Sequence, residues 1–156
     1  LAVTPFVLIA AATPNIISVI NSNRHTTHPN ELEATLQQAR MEALRRNASV
    51  TVCRTTNGAV CDAGAGNWTG WLTVAAANGE VLRSSTAKAP VQISSPASSI
   101  TFRADGLAWD AAGLVANDIT VCIPTANPAT NRRVVSIGTG SRISTATAGN
   151  GNGVCP

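Results

Sequence analysis

Residues 30–46 read NELEATLQQARMEALRR, and they give the strongest indication of the fold. Its apolar side chains recur at the spacing of one face of an amphipathic α-helix. They are Leu32, Leu36, Ala39 and Ala43. Asn30 followed by Glu33 forms a capping box, and Pro29 restricts the residue before it. The pattern predicts a helix over residues 30–47 that starts at a boundary or sharp kink at residues 28–30.

The segment before this helix is apolar and carries no charged side chain as far as Asn23. It nearly reaches the ~20 apolar residues that cross a bilayer, although Pro5 and Pro14 predict a bent or locally melted helix. A signal peptide fits less well because a basic n-region is missing, and a buried core helix is the other alternative. We predict a stalk buried in a membrane or filament core. The residues that it would bury are Phe6, Val7, Leu8, Ile9, Pro14, Ile16 and Ile17.

Beyond residue 48 the pattern changes to short alternating runs separated by turns. Asn78-Gly79, Asp105-Gly106 and Thr139-Gly140 each lie between two such runs, which predicts three β-hairpins. Further strands are predicted at 50–53 and 119–123. The glycine-rich tail, residues 146–156, is predicted to be flexible. The order of elements predicts an α+β fold in which a long N-terminal helix packs on an antiparallel sheet.

The length of the chain allows one globular domain, and its composition indicates that partners or a membrane cover part of the surface. The 156 residues predict a stalk at 1–29 and a head at 30–156. Charged residues make up 12% of the chain, against about 25% in ordinary soluble proteins. The net charge of +3 is too small to indicate a dedicated nucleic-acid binder. We therefore expect a membrane or partner proteins to cover part of this surface.

The four cysteines lack the Cys-x-x-Cys spacing of structural zinc sites, so disulfides are favoured over a metal site or free thiols. Cys53 and Cys61 bracket a segment with an Asn-Gly turn, which makes them natural partners. Cys122 would then pair with Cys155 and fasten the tail to a strand. Two disulfides place the head in an oxidising compartment, which in a bacterium is the periplasm or the exterior.

The sequence contains no Gly-x-Ser-x-Gly elbow, phosphate loop or zinc-protease motif. His25 and His28 are the only histidines, and no third metal ligand lies near them in sequence. We interpret them as part of a polar helix face. We therefore predict no catalytic residues, no metal, no cofactor and no small-molecule substrate.

Several stretches together resemble the FimT and GspH group of type IV pilin-like minor pilins and pseudopilins. They are residues 21–24, the helical stretch 36–47, residues 50–53, Trp68-Thr69-Gly70-Trp71, residues 100–106 and residues 132–136. The resemblance implies a subunit that rests in the bacterial inner membrane with a periplasmic head. It would then join a periplasmic or extracellular filament with other major and minor pilins. Pro14 stands where pilin stalks carry a helix-kinking proline.

The resemblance also raises a second function, because FimT-type proteins of naturally transformable bacteria capture DNA through a C-terminal Gly-Arg-x-Arg motif. The matching stretch here is Gly140-Ser141-Arg142-Ile143, with one arginine instead of two. Arg132 and Arg133 precede it on the adjacent strand of the predicted hairpin. We therefore keep DNA binding through Arg142, Arg132 and Arg133 as the alternative to a structural subunit. The glycine and phenylalanine of a prepilin cleavage site are absent, so we expect the chain to start within a mature stalk or to lack that processing signal.

Overall fold

The computed structural model describes residues 4–148 and 152–156, with side chains from residue 16 onward. It contains one long α-helix, ten β-strands and a short 3-10 turn at Thr139–Ser141. The helix α1 spans Thr4–Arg46. The strands are β1 Val50–Thr55, β2 Gly70–Ala75, β3 Glu80–Thr86, β4 Gln92–Ser94, β5 Ser99–Phe102, β6 Ala108–Asp110, β7 Gly113–Leu114, β8 Asn117–Cys122, β9 Arg132–Gly138 and β10 Arg142–Thr147.

The helix α1 continues through Pro29, so the predicted helix boundary at residues 28–30 is wrong. A proline inside a helix costs about 3 kcal/mol through a lost hydrogen bond and a steric clash. Here Pro29 is itself buried against the head, and the stripe that includes Leu32 and Leu36 is fully buried. Each such leucine contributes roughly 1.5–3 kcal/mol, so the two together offset the proline penalty. The division into a stalk of 1–29 and a head of 30–156 stays a prediction, although α1 already contacts the head at Arg24.

The strands form two antiparallel sheets, where the sequence had indicated a sheet without dividing it. The first has the order β3-β2-β1-β5-β6-β7 and the second β10-β9-β8-β4. The three predicted hairpins are confirmed as β2–β3, β5–β6 and β9–β10. Their turn glycines Gly79, Gly106 and Gly140 have φ of +72°, +78° and +73°, which glycine adopts without strain. Strands β4 and β7 were not predicted because they have only three and two residues.

The core lies between α1 and the two sheets. From the first sheet Val52, Trp71 and Phe102 are buried, and from the second Ile119 and Ile137. The indole N–H of Trp71 donates to Thr35 Oγ1 at 3.4 Å, so the helix and sheet are also joined by a polar contact. One helix packed on antiparallel sheets confirms the predicted α+β class.

The C-terminal tail begins later than predicted. Ala146 pairs with Val134 and Thr147 pairs with Arg133, so both belong to β10 and not to a flexible tail. Cross-strand hydrogen bonding to β9 orders these small residues, although their side chains bury little surface.

Candidate functional site

An apolar stripe lies exposed on α1 before the helix reaches the head. Ile16 and Ile17 are 57% and 59% exposed, and Val19 and Ile20 are 59% and 44% exposed. The predicted core residues Phe6, Val7, Leu8, Ile9 and Pro14 lie outside the part of the chain whose side chains the structure describes. Within the described part, no helix is long and apolar enough to cross a bilayer. Exposed aliphatic side chains in a row mark a contact surface.

The head first holds α1 at residues 24–28. The Arg24 Nη1 group donates to the carbonyl of Ala89 at 2.8 Å, and the amide of Lys88 donates to His28 Nε2 at 3.5 Å. The interpretation of His25 and His28 as a polar face is wrong, because both rings are buried. They lie seven and four residues before Leu32 and so continue its stripe.

Burial lowers the pKa of both histidines below the ordinary value of 6.5, because a buried imidazolium loses its hydration. The nearby charge of Arg133 lowers the pKa of His25 further. At His28, Glu31 opposes the effect of burial, while Lys88 and Arg24 add to it. The rings are therefore packing elements of the helix–head junction, held neutral. Among the described side chains, no three His, Cys, Asp or Glu residues lie close enough together to bind a metal ion.

The structure separates the three arginines that were predicted to share a site. Arg132 and Arg133 begin β9, beside His25. Arg142 begins β10 and pairs with Gly138, at the other end of β9. Antiparallel pairing thus places the two groups about 20 Å apart along the strands. The pairing of the two strands that carry these arginines was predicted correctly. Arg142 and the pair Arg132 and Arg133 nevertheless do not form one surface.

Arg142 instead lies near Arg40, which sequence analysis missed, and Arg103 lies in the β5–β6 turn that contacts Arg40. Arg40 Nη1 donates to the carbonyl of Ser141 at 3.1 Å, and Arg40 and Arg142 line one groove of about 520 Å³. The guanidinium of Arg103 stacks on the Trp109 ring, 3.7 Å from its centroid. We call Arg40, Arg103, Arg142 and Trp109 the distal cluster. The proximity of Arg103 and Trp109 could have been predicted from the sequence. The hairpin turn at Asp105-Gly106 brings both residues to the same end of β5 and β6.

The β5–β6 turn at Gly106 lies between Arg40 and Arg103. A Cβ placed at Gly106 would lie 3.4 Å from Arg40 Nε, and the Gly106 amide donates to the carbonyl of Arg103 at 2.8 Å. The amide of Ala108 donates to Ser141 Oγ at 2.6 Å. The β5–β6 turn, the β9–β10 corner and α1 therefore meet here. His25 and Arg40 are about 22 Å apart along α1, so the distal cluster and the pair Arg132 and Arg133 lie at opposite ends of the head.

A second open groove of about 930 Å³ lies between α1 and β3, an edge strand of the first sheet. Met41 and Leu82 line it, and Arg83 Nη1 donates across it to Gln38 Oε1 at 2.8 Å. On its helical wall, bonds from Arg45 and Arg46 lower the pKa of Glu42 to about 2.

Both predicted disulfides are confirmed. Cys53 pairs with Cys61, with a Cα–Cα distance of 5.6 Å, and Cys122 pairs with Cys155 at 5.7 Å. The second one ties the tail to β8. Arg132 Nη2 also donates to the carbonyl of Val154 at 2.9 Å, so the tail covers the same end of the head as Arg132 and Arg133.

Comparison with known proteins gives two kinds of match. A family model described as Type II transport protein GspH matches residues 29–140. The minor pilin FimU of the Pseudomonas aeruginosa type IV pilus is similar in structure, with a TM-score of 0.60 and 21% identity over 80% of this chain and 90% of FimU. The minor pseudopilin EpsH of the Vibrio cholerae type 2 secretion system has a TM-score of 0.59 and 10% identity over 80% of this chain and 97% of EpsH. No curated protein sequence matches the chain. The two structures, at these identities, establish the fold alone.

Proposed function

The chain belongs to the GspH family of pilin-like proteins, and we propose that it is a minor subunit of a type IV pilus or a type II secretion pseudopilus. In this proposal it assembles with other major and minor pilin subunits and carries out no catalysis. Before assembly it rests in the bacterial inner membrane with its head in the periplasm. The two disulfides support this location, because they persist in an oxidising compartment.

One observation carries the proposal: the helix that packs in the head continues unbroken into an exposed apolar stripe. The stripe consists of Ile16, Ile17, Val19 and Ile20, each roughly half exposed. Complete burial of one such side chain contributes roughly 1.5–3 kcal/mol, so burying the exposed half of all four contributes about 3–6 kcal/mol. Neighbouring stalks in a filament core would supply that burial.

The experiment that tests the proposal places a charge on the stripe. Ile17→Asp removes about 1 kcal/mol of apolar burial and adds a carboxylate whose desolvation costs several kcal/mol. In the bacterium that carries the protein, the variant should accumulate as a folded subunit but disappear from the sheared filament fraction. Thermal unfolding should stay unchanged, because Ile17 is 59% exposed in the subunit.

Ala34→Asp is the matched control, since Ala34 is exposed on the part of α1 that packs in the head. It introduces the same charge away from the stripe and should enter filaments at the normal level. Normal incorporation of Ile17→Asp would refute the proposed role of the stripe.

The distal cluster supports a second function, a DNA-binding minor pilin that acts as a receptor in DNA uptake. Arginine can bind phosphates, and an aromatic side chain can stack on a base. No acidic residue forms an ion pair with Arg40, Arg103 or Arg142 among the described side chains. This cluster, and not the set of Arg142, Arg132 and Arg133, is the surface that we propose for DNA.

DNA binding is tested with the full chain in neutral detergent over a series of salt concentrations. Arg103→Gln/Arg142→Gln removes two phosphate contacts and should lower the slope of log K against log salt by about 1.8 on duplex DNA. The matched control Arg132→Gln/Arg133→Gln removes the same charge from the opposite end and should leave the slope unchanged. Equal effects of the two variants would contradict a distal DNA site.

A further inference from the structure

Four positively charged residues lie at the end of the head where α1 enters it. Arg24 lies on α1 itself, Lys88 follows β3, and Arg132 and Arg133 begin β9. Arg24 Nη1 donates to the carbonyl of Ala89, and the backbone amide of Lys88 donates to His28 Nε2. The charge of Arg133 lies close enough to His25 to lower its pKa, and Arg132 precedes Arg133 in β9. We call these four residues the basal collar.

The acidic side chains that the structure describes form no ion pair with the collar. Arg24 uses one N–H group on the carbonyl of Ala89, and Arg132 uses one on the carbonyl of Val154. The remaining guanidinium donors and the ammonium of Lys88 have no acceptor in the described part of the chain.

A cavity of about 500 Å³ opens between Arg24 and Lys88. Thr27, Thr86 and Asn23 line it with hydroxyl and amide groups that can also donate hydrogen bonds. Glu31 is the acidic residue in its wall, and one of its oxygens already accepts from Ser85 Oγ at 2.9 Å. The cavity is therefore rich in donors and suited to an oxyanion.

The position of the collar along α1, relative to the apolar stripe, indicates which oxyanion it binds. Arg24 lies four residues beyond Ile20, the last residue of the exposed stripe, which is about 6 Å along the helix axis. The headgroup layer of a bilayer leaflet is about 5–8 Å thick. If the apolar stripe rests in the hydrocarbon, as the proposed function requires, the collar lies in the headgroup layer.

We propose that the basal collar binds the phosphate groups of anionic phospholipids while the subunit rests in the membrane. This inference rests on one part of the proposed function, namely that the subunit rests in the membrane before assembly. It assigns Arg132 and Arg133 to lipid, so that the two positive ends of the head have different ligands. Release of these phosphates would accompany the move of the subunit into a filament.

The test uses the full chain, labelled with ¹⁵N, in neutral maltoside micelles at low salt. His25 and His28 are the only histidines, and they lie beside the collar, so their two ring signals report on it. Dihexanoyl-phosphatidylglycerol should shift both signals in a saturable way. Dihexanoyl-phosphatidylcholine should require a higher concentration because its choline offsets the phosphate charge.

Arg24→Gln/Lys88→Gln and Arg132→Gln/Arg133→Gln should each raise the half-saturating concentration of phosphatidylglycerol by about 25-fold, about fivefold for each cation. The matched control Arg103→Gln/Arg142→Gln removes two charges from the distal cluster and should leave that concentration unchanged. Emission from the buried Trp68 and Trp71 verifies that each variant is folded.

Three arms separate the possible sources of phosphate. Inorganic phosphate that shifts the signals at the same concentration as the lipid would overturn the assignment to lipid. Equal potency of phosphatidylcholine, or an equal loss in the distal control, would also overturn it. A short DNA oligonucleotide that displaces phosphatidylglycerol from the collar would assign the collar to DNA instead. Failure of this titration would leave the filament proposal standing, because Ile17→Asp tests that proposal through assembly.

Discussion

Removing the disulfide Cys122–Cys155 should destabilise the head more than removing Cys53–Cys61. The two bonds join residues 33 and 8 positions apart. A cross-link stabilises a protein mainly by restricting the unfolded chain, and the effect grows with the logarithm of the closed loop. This relation gives about 3.7 kcal/mol for the longer loop and about 2.5 kcal/mol for the shorter one.

The comparison is well matched because each bond joins one deeply buried cysteine to a more exposed one. Cys53 and Cys122 are both 1% exposed, so replacing either pair by alanine leaves a similar small cavity. The difference of about 1.2 kcal/mol therefore reports on loop length. For a head of about 130 residues the expected decreases in Tm are roughly 14 °C and 9 °C.

The assay is thermal unfolding of the full chain in neutral detergent, followed by circular dichroism. The variants are Cys53→Ala/Cys61→Ala and Cys122→Ala/Cys155→Ala, compared with the oxidised and the reduced wild type. Equal decreases, or a larger decrease for the shorter loop, would refute the argument from chain entropy. Native contacts of the tail, such as the bond from Arg132 to Val154, would then dominate.

Three further predictions concern stability. Leu36→Ala should lower the free energy of unfolding by about 2–5 kcal/mol in urea denaturation, because Leu36 is fully buried. The control Leu44→Ala, at a position that is 50% exposed, should lower it far less. Gly106→Ala should destabilise the head by about 1 kcal/mol or more in the same assay, because alanine is strained at φ of +78°. Folding lowers the pKa values of His25 and His28, so the unfolded chain binds more protons than the folded chain below about pH 6.5. The urea concentration at the unfolding midpoint should therefore decrease when the pH is lowered from about 7.5 to about 5.5. His25→Gln/His28→Gln should flatten that dependence, and an unchanged slope would exclude the two rings as its source.

Much of the fold could be predicted because neighbouring residues encode it. Asn78-Gly79 and Asp105-Gly106 set two turns through the freedom of glycine to adopt positive φ, and the strands on either side pair directly. The cysteine pairing followed in the same way, since a turn between Cys53 and Cys61 left one other pair. The stripe of Leu32, Leu36, Ala39 and Ala43 identified the buried helix face.

The candidate site was predicted less well, because it depends on which distant elements pack together. Local rules at Pro29 predicted a boundary that the burial of the whole stripe overrides, and this error hid the buried positions of His25 and His28. Sequence proximity joined Arg142 to Arg132 and Arg133, whereas antiparallel pairing sends them to opposite ends of one hairpin.

Residue patterns alone specify the α+β class, the hairpins, the disulfide pairs and the family, because each depends on residues that are close in the chain or on a pattern of residue types. Long-range packing places Arg40 beside the corner at Ser141 and Arg142, and it brings Lys88 and Arg24 to His28 and Arg133 to His25. These groupings arise where α1 crosses two sheets. The hydrogen bonds there connect residues 60 to 101 positions apart, and no local preference specifies them.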